Sequence, residues 1–291
     1  MDKLTLRYGA SEALISCSGS ELQALRLGGL DLLWPAAPLW PRHAPLLFPI
    51  VGGLKGDAYQ HQGRTYTLPR HGFARNRDFT WTSESAASCA LMLEDDAESR
   101  AAYPFAFRLT VMYTLDDAGL HMALTLLNPG DVPLPASLGL HPAFRWPLAP
   151  GLRKASHRLV FEQDEQGPLR RVDAQGLLTP ASHPTPIRGR VLSLSEGLFL
   201  EDALIFLEPR SSGLRFEAEH GPALTLRWTG FPHLGVWAKP DPGPSFLCVE
   251  PWQGYASPAA WDGGFTDKPG GFVLAPGACR HWTFDISLAT V

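Results

Sequence analysis

Glu250 and His141 carry the side-chain types that acid–base chemistry uses, and each is followed directly by a proline. Glu250 lies in Cys-Val-Glu-Pro-Trp after the apolar run 246–249, and His141 lies in Gly-Leu-His-Pro-Ala-Phe. A glutamate enclosed by apolar residues has a raised pKa and can act as a base near neutral pH, whereas histidine titrates there unperturbed. Because a following proline biases a residue towards extended backbone, we predict that both side chains stand at strand ends.

A third candidate segment is the polar stretch 69–76, which reads Pro-Arg-His-Gly-Phe-Ala-Arg-Asn. The side chains of His71, Arg75 and Asn76 supply hydrogen-bond donors and one titratable group. Gly72 permits a positive φ or the close approach of a ligand to the backbone. We therefore predict a turn between two strands that presents His71 and Arg75 to a ligand.

Two tryptophans and one aspartate complete the set of candidate binding residues. Trp237 and Trp252 flank the Glu250 segment, and aromatic faces pack well against the C–H faces of sugar rings. Asp202 precedes the apolar run 203–206, which reads as a buried strand. Each of these residues also fits a structural role, which is core packing for the tryptophans and a turn for Asp202.

The three motifs also fit structural roles when they are taken one at a time. The segment 69–76 fits a polar hairpin loop, His141 an ordinary structural histidine, and Glu250 a strand-end carboxylate in solvent. The motifs are far apart in sequence, but an antiparallel sheet readily brings strand ends and turns together. We expect the imidazole of His141 and the carboxyl group of Glu250 to face each other across a space the size of a pyranose.

Short apolar or alternating runs between turn residues predict that the chain is all-β. In 120–126 the apolar residues fall mainly on even positions, which is the two-residue period of a half-buried strand. A helix is predicted only over 95–102, where Pro104 ends it, and the proline-bearing stretch 180–186 reads as a surface loop within a single domain of residues 1–291. So many strands between frequent turns indicate a sandwich or barrel. The predicted strands cover residues 4–8, 65–68, 79–82, 89–94, 105–115, 120–127, 132–138, 158–161, 204–207, 214–218, 224–228, 234–237, 246–249 and 281–288.

The composition argues against several classes of partner. The 291 residues include 25 Lys and Arg against 29 Asp and Glu, a formal net charge of −4, so no basic surface for nucleic acid or an anionic membrane is expected. The four cysteines form no Cys-x-x-Cys pair, which predicts reduced thiols. The start has no pattern of a signal peptide, and no apolar run approaches the roughly 18 residues of a membrane span. We therefore expect a cytoplasmic protein.

In this order, the segments RHGFARN, GLHPAF and CVEPW resemble the aldose 1-epimerases of the galactose mutarotase-like superfamily, in its bacterial LacX-like branch. The resemblance implies a large antiparallel β-sandwich, a supersandwich, with few short helices. It also implies interconversion of the α and β anomers of an aldose or a sugar phosphate. Supporting matches that extend the resemblance over nearly the whole chain are the segments 45–52, 103–105, 202–206 and 271–277.

The resemblance also implies a role for each candidate residue. Glu250 would be the general base and His141 the general acid of ring opening and closure, a reaction that needs no cofactor and no metal. His71 would bind the ring-oxygen side of the sugar. The implied partner is a small-molecule sugar, with no nucleic acid or membrane, and the protein is expected to be a monomer or homodimer. The further residues expected to bind substrate are Arg75, Asp202, Trp237, Trp252 and Lys55.

The chain departs from the family pattern at one position and leaves alternatives open. Many relatives carry an arginine in a Gly-Arg-Leu/Val segment, where this chain reads Gly-Gly-Leu-Lys with Gly53 in place of the arginine. Arg75 or Lys55 would then supply the missing donor. The main alternative is a non-catalytic carbohydrate-binding or sensing protein on the same fold. A glycoside-processing domain is less favoured because only Glu250 stands out as a carboxylate, and a cupin-like metal enzyme because no close histidine pair occurs.

Overall fold

A computed structural model describes residues 2–243, 245–261 and 263–289. Those residues form mostly short strands, with one α-helix, α1 (Ala97–Ala102). The strands are β1 (Lys3–Tyr8), β2 (Ser11–Ser16), β3 (Glu21–Leu27), β4 (Leu30–Asp31), β5 (Leu46–Leu47), β6 (Ala58–His61), β7 (Arg64–Thr67), β8 (Thr80–Glu84), β9 (Ser88–Glu94), β10 (Arg108–Leu115), β11 (Leu120–Leu127), β12 (Leu134–Ala136), β13 (Leu138–Leu140), β14 (Ala143–Trp146), β15 (His157–Phe161), β16 (Val191–Ser193), β17 (Leu204–Phe206), β18 (Gly213–Ala218), β19 (Ala223–Thr229), β20 (His233–Trp237), β21 (Ser245–Gln253), β22 (Phe272–Leu274) and β23 (Cys279–Ala289). The 3₁₀ helices are Lys55–Asp57, Ala74–Asn76, Lys154–Ser156, Glu196–Phe199 and Phe265–Asp267.

Two large antiparallel sheets dominate the structure. The larger sheet has nine strands in the order β16-β15-β18-β19-β23-β11-β10-β9-β8. The second has six strands, with β17-β20-β21-β13-β5 in order and β14 also paired to β21. A four-stranded sheet of β1 to β4 and the pairs β6-β7 and β12-β22 complete the strand pairing. These sheets confirm the predicted all-β fold of large antiparallel sheets with few short helices.

The core lies between the two large sheets. In β11 the side chains of Leu120, Met122, Leu124 and Leu126 are buried and those between them are half-buried, which confirms the period of two in the sequence. Across the core, the indole N–H of Trp282 in β23 donates to Oε1 of Gln253 in β21 at 3.0 Å. This bond satisfies two buried polar groups that would otherwise destabilise the interior.

β21 is buried along its whole length because both of its faces are covered. Leu247 and Val249 pack into the main core, whereas Phe246 and Cys248 on the opposite face belong to a separate cluster. Since side chains alternate along a strand, Glu250 lies on the same outer face as Cys248. That outer face of the six-stranded sheet is where the candidate site forms.

The position predicted for Glu250 at a strand end is wrong. The predicted strand 246–249 is only part of β21, so Glu250 stands inside a nine-residue strand. Pro251 is tolerated there because the neighbouring ladder is interrupted: β13 pairs with β21 at 252–253, and β14 pairs with it at 245–248. A proline has no N–H for a ladder and is confined to such irregular places in a sheet.

Two other predicted elements have different outcomes. The helix predicted over 95–102 is confirmed as α1, in which the Asp96 carboxylate accepts from the Ser99 N–H at 2.7 Å and the Ser99 hydroxyl accepts from the Asp96 N–H at 2.9 Å. The strand predicted over 132–138 is instead divided between β12 and β13. No helix in the described ranges is long and apolar enough to cross a membrane.

Candidate active site

His141 and Glu250 meet where the sheet opens between β13 and β14. His141 directly follows β13, which confirms its predicted place at a strand end. Its Nε2 lies 3.2 Å from Oε2 of Glu250, and the two side chains are only 10% and 2% exposed. The expected pyranose-sized gap between them is therefore wrong, because the two groups are in direct contact.

Burial moves the pKa values of this pair in opposite directions. It raises the pKa of Glu250 well above the ordinary value, and the nearby charge of Asp202 adds to that effect. Burial lowers the pKa of His141 to about 3, and the positive charges of Arg75 and Arg42 lower it further, while a backbone contact acts in the opposite direction. The pair therefore holds one proton in its neutral form, a carboxylic acid beside an unprotonated imidazole.

His71 is held in one orientation and one tautomer by the backbone of Gly52. The ring Nδ1 of His71 accepts the Gly52 N–H at 3.2 Å, and the backbone N–H of His71 donates to the Gly52 carbonyl at 2.8 Å. Since Nδ1 accepts, a neutral His71 carries its proton on Nε2. The pKa of His71 is well below its usual range because of burial and then the proximity of His141, so the ring acts as a neutral donor.

The tight turn at His71 depends on the glycine that follows it. His71 and Gly72 have φ values of 67° and 70°, in the left-handed region. A Cβ on Gly72 would overlap the carbonyl of Phe48, so a glycine is needed both for the φ value and for the close approach. This confirms the interpretation of Gly72 from the sequence.

Two tryptophans hold the His141 ring. Trp40 stacks on it with ring centroids 5.1 Å apart and an angle of 23° between the planes. Trp237 meets it edge-on at 5.8 Å. The loop that carries Trp40 is tied to the sheet by the Trp34 indole N–H, which donates to the Trp40 carbonyl at 2.8 Å.

Trp252 forms part of the cleft floor because two neighbouring strands offer glycines beneath it. Gly139 of β13 and Gly235 of β20 flank its indole, and a Cβ on Gly139 would come within 2.6 Å of the ring while one on Gly235 would overlap it. The indole therefore lies against the sheet instead of standing away from it. Its N–H is buried without a hydrogen-bond partner.

The cleft above this floor has a volume of about 250 Å³. Most of the predicted site residues line it, although they come from distant parts of the chain. The predicted residues at the cleft are Glu250, His141, His71, Arg75, Asp202, Trp237 and Trp252.

The expectation that Lys55 belongs to the site is wrong. Lys55 is exposed at the start of a 3₁₀ turn and borders a different pocket, together with Tyr59 and Trp261. The space beside Gly53 is filled instead by Arg70, whose Nε would lie 4.0 Å from a Cβ on Gly53. Arg70 thus places a guanidinium near the position where relatives are expected to carry their own arginine.

Three cleft residues were not assigned to the sugar site from the sequence. Trp40 and Arg42 lie in a proline-rich loop with no regular periodicity, and Arg70 precedes the histidine of the RHGF segment. The sequence feature that could have indicated the loop as part of the site is the tryptophan and the arginine on either side of Pro41. Nothing in that signal shows that the loop folds over the sheet.

One group of side chains in the described ranges has the spacing of a metal site. The ligand atoms of His141, Cys248 and Glu250 lie within 4.8 Å of one another. Metal binding needs a thiolate and a carboxylate, but burial raises the pKa of Cys248 and of Glu250 well above their ordinary values. A metal ion held here would therefore have to displace protons from the Cys248 thiol and the Glu250 carboxyl group.

Comparison with known proteins gives consistent matches over the whole length. The aldose 1-epimerase family profile matches residues 2–268. The chain is 29% identical over 282 residues to "Protein LacX, chromosomal" of Lactococcus lactis subsp. lactis, which covers 93% of this chain and 94% of that protein.

Solved structures agree with these sequence matches. The chain is similar to a galactose mutarotase related enzyme from Lactobacillus acidophilus, with 30% identity, a TM-score of 0.89 and coverage of 99% and 97% of the two chains. It is also similar to a galactose mutarotase-like protein from Lactobacillus casei, with 27% identity, a TM-score of 0.92 and coverage of 99% and 100%.

The antiparallel sheets and the cleft on the outer face of the six-stranded sheet define a protein of the galactose mutarotase-like fold class. The match over most of the sequence goes one step further. The chain belongs to the aldose 1-epimerase family, which confirms the resemblance seen in its motifs.

Proposed function

We propose that the protein is an aldose 1-epimerase that interconverts the α and β anomers of a sugar, with Glu250 and His141 as its acid–base pair. The observation that carries this proposal is the 3.2 Å contact between Nε2 of His141 and Oε2 of Glu250 beside the cleft. Membership of the aldose 1-epimerase family supports an isomerase of this kind.

The direct contact between the two groups suits the geometry of the reaction. Ring opening removes the proton from the O1 hydroxyl and adds a proton to the ring oxygen O5, and both oxygens are bonded to C1. Groups that serve two oxygens on one carbon must themselves be neighbours.

The proton count of the pair is also what the reaction requires. Transfer of the shared proton from Oε2 of Glu250 to Nε2 of His141 gives a carboxylate and an imidazolium without any proton from solvent. The carboxylate then takes the O1 proton while the imidazolium protonates O5, the C1–O5 bond breaks and the C1 carbonyl forms. Rotation about C1–C2 and closure, with the roles reversed, gives the other anomer and restores the pair.

The surrounding side chains fit the tasks of binding and orientation. His71 directs its Nε2–H donor towards the site, since Gly52 occupies Nδ1. Trp40 and Trp237 hold the His141 ring from two sides, which limits its rotation and so keeps Nε2 directed at Glu250. Trp252 and Asp202 offer an apolar face and a hydroxyl-binding carboxylate at the same cleft.

Magnetisation-exchange NMR between the α and β anomers, across a panel of aldoses and hexose 6-phosphates, tests the proposal. We expect catalytic amounts of the protein to raise the exchange rate of at least one sugar well above that in buffer. Saturable binding with no rate above buffer would instead identify the non-catalytic sugar-binding alternative. Heat-inactivated protein controls for buffer catalysis.

A further inference from the structure

Three arginines at the cleft have no anionic partner. Arg42, Arg70 and Arg75 all line it, and none of them forms an ion pair with a carboxylate among the residues that the structure describes. Their guanidinium groups donate only to neutral oxygens. Arg42 donates to the Asn76 side chain at 3.0 Å, Arg70 to a backbone carbonyl at 3.2 Å and Arg75 to another at 2.7 Å.

Several arginines elsewhere in the molecule are neutralised. Arg77 pairs with Asp96 and with Glu98, and Arg158 pairs with Glu217 at 2.7 Å. The contrast matters most for Arg75, which is half-buried, because burying a cation without a partner costs free energy and the cost falls when an anion is supplied.

Arg75 has the least favourable electrostatic environment of the three arginines. Its Nε is buried without a hydrogen-bond partner. Burial, followed by repulsion from Arg42 and Arg70, lowers its pKa to about 10. Arg75 therefore offers a vacant donor in a region of excess positive charge.

The carboxyl groups of the cleft do not offset that charge. Glu250 and Asp202 are the carboxyl groups that line it among the described residues, and burial raises the pKa of Glu250, which favours its neutral form. Among the described residues, three positively charged guanidinium groups therefore line the cleft against one ionised carboxylate, that of Asp202. Such an excess is the usual feature of a pocket for phosphate or carboxylate.

The backbone around Arg70 is shaped to seat its guanidinium. Gly176 has a φ of 77°, and a Cβ on it would overlap Nη2 of Arg70. The cleft continues into a wider depression of about 820 Å³ that shares Arg70, Asp202 and Trp237, so a substituent on the sugar has room beside Arg70.

We infer that this site takes an aldose that carries an anionic substituent away from C1, either a phosphate ester or a carboxylate, and that Arg42, Arg70 and Arg75 bind that substituent. The inference rests on the proposed function of the same cleft. Guanidinium groups bind such oxyanions through paired, charge-assisted hydrogen bonds. A phosphate ester offers three terminal oxygens, which would match three guanidinium groups.

Calorimetric titration of the whole protein with galactose, galactose 6-phosphate and galacturonate tests the inference. We expect at least one of the two anionic sugars to bind at least tenfold tighter than galactose, and the tighter of the two identifies the substituent. The preference should fall about ten- to a hundredfold in Arg42→Met and in Arg75→Met, as expected for a lost hydrogen bond to a charged group. Equal affinities for all three sugars in wild-type protein would overturn the inference.

Arg64→Met is the matched control, because Arg64 lies exposed in β7 away from the cleft. It should keep the full preference, and a loss in this variant equal to that in Arg42→Met would mean a general effect of net charge and would refute the assignment. Exchange rates measured on the same sugars separate the two proposals. Tight, arginine-dependent binding without anomer exchange would support the anion site and contradict the catalytic function. Anomer exchange without any preference for anionic sugars would support the catalytic function and contradict the anion site.

Discussion

Nε2 of His141 and Oε2 of Glu250 lie 3.2 Å apart in a buried contact, and the proposed mechanism moves one proton between them. Burial favours the neutral arrangement, since it raises the pKa of Glu250 and lowers that of His141 to about 3. The neutral pair and the ion pair differ only by movement of that proton between two neighbouring atoms. A sugar whose O1 and O5 replace this contact could therefore draw on a pair that already has the proton count needed.

The protonation of the pair predicts the pH dependence of the exchange rate. The active form holds one proton, so activity is lost when His141 gains a second proton, at about pH 3, and when Glu250 loses its own, above its ordinary pKa. We expect kcat/KM to stay flat through the ordinary titration range of histidine near pH 6.5 and to fall only as the pH approaches 3. The charged or titratable groups that face the pair are His71, Arg42, Arg75, Asp202 and Cys248.

An acid limb centred near the ordinary histidine pKa of 6.5 would contradict this account. Such a limb would mean that an accessible histidine of ordinary pKa controls the rate. His71→Gln distinguishes the source, because it removes a neighbouring imidazole and leaves both members of the pair in place.

At the scale of elements, the site depends on how β21 is flanked. Glu250 faces outward from a central strand, and the neighbouring chain leaves the ladder between β13 and β14 where His141 stands. On the other side, Gly235 of β20 pairs with Glu250 and leaves room for the Trp252 ring. The cleft is therefore shaped by a gap between β13 and β14 on one side of β21 and by the missing side chain of Gly235 on the other.

Gly235→Ala tests this arrangement, because the added methyl group would overlap the Trp252 indole. The φ of Gly235 is outside the left-handed region, so the effect is one of packing alone. We expect the free energy of unfolding to fall by about 1–3 kcal/mol and the anomer exchange rate to drop. Denaturant unfolding and exchange NMR measure the two effects.

Gly167→Ala is the control, since a Cβ there meets nothing within 4 Å and its φ is also outside the left-handed region. Unchanged exchange in Gly235→Ala would show that the position of Trp252 does not matter to the reaction.

The sequence predicted these elements unevenly. A strand such as β11, with one face in the core, shows its period of two and is located correctly at 120–127. β21 is buried on both faces, so no alternation of apolar and polar residues marks its limits. Pro251 suggested a strand end, but the strand continues through it because the partner ladder is interrupted between β13 and β14. Glu250 could be identified from its motif, but its position inside the strand depends on partners distant in sequence.

At the scale of the whole molecule, the cleft combines loops that carry no regular pattern. Trp40 and Arg42 reach it from a proline-rich loop, and Arg70 fills the space next to Gly53 that Lys55 or Arg75 was expected to serve. Which of several arginines or lysines turns inward is decided by tertiary packing. Here the turn at Lys55–Asp57 leads Lys55 to solvent, and sequence spacing does not reveal this.

Lys268 gives a prediction about the stability of the whole chain. It is 6% exposed, its Nζ donates to the Tyr255 carbonyl, and burial lowers its pKa to about 7. Between about pH 7 and pH 10 the unfolded chain keeps a proton on Lys268 that the folded protein releases. This group therefore makes the free energy of unfolding rise by up to about 1.4 kcal/mol per pH unit over that range.

Denaturant unfolding of wild type and Lys268→Met across that range isolates the effect. Cys89 and Cys248 have raised pKa values and give a slope of the opposite sign, but they do so in both proteins and cancel in the difference. Lys55→Met, which changes an exposed lysine, is the control. Parallel pH curves for wild type and Lys268→Met would contradict the prediction.

The most direct test of the central claim compares anomer exchange in Glu250→Gln, His141→Asn and the double variant, each checked for native unfolding. The account predicts that each single substitution lowers the rate about 10²–10⁴-fold, and that the double variant is little slower than the worse single one, because the two residues act as a unit. Full exchange activity in either single variant, on a sugar that the wild type converts, would show that the reaction does not depend on this pair.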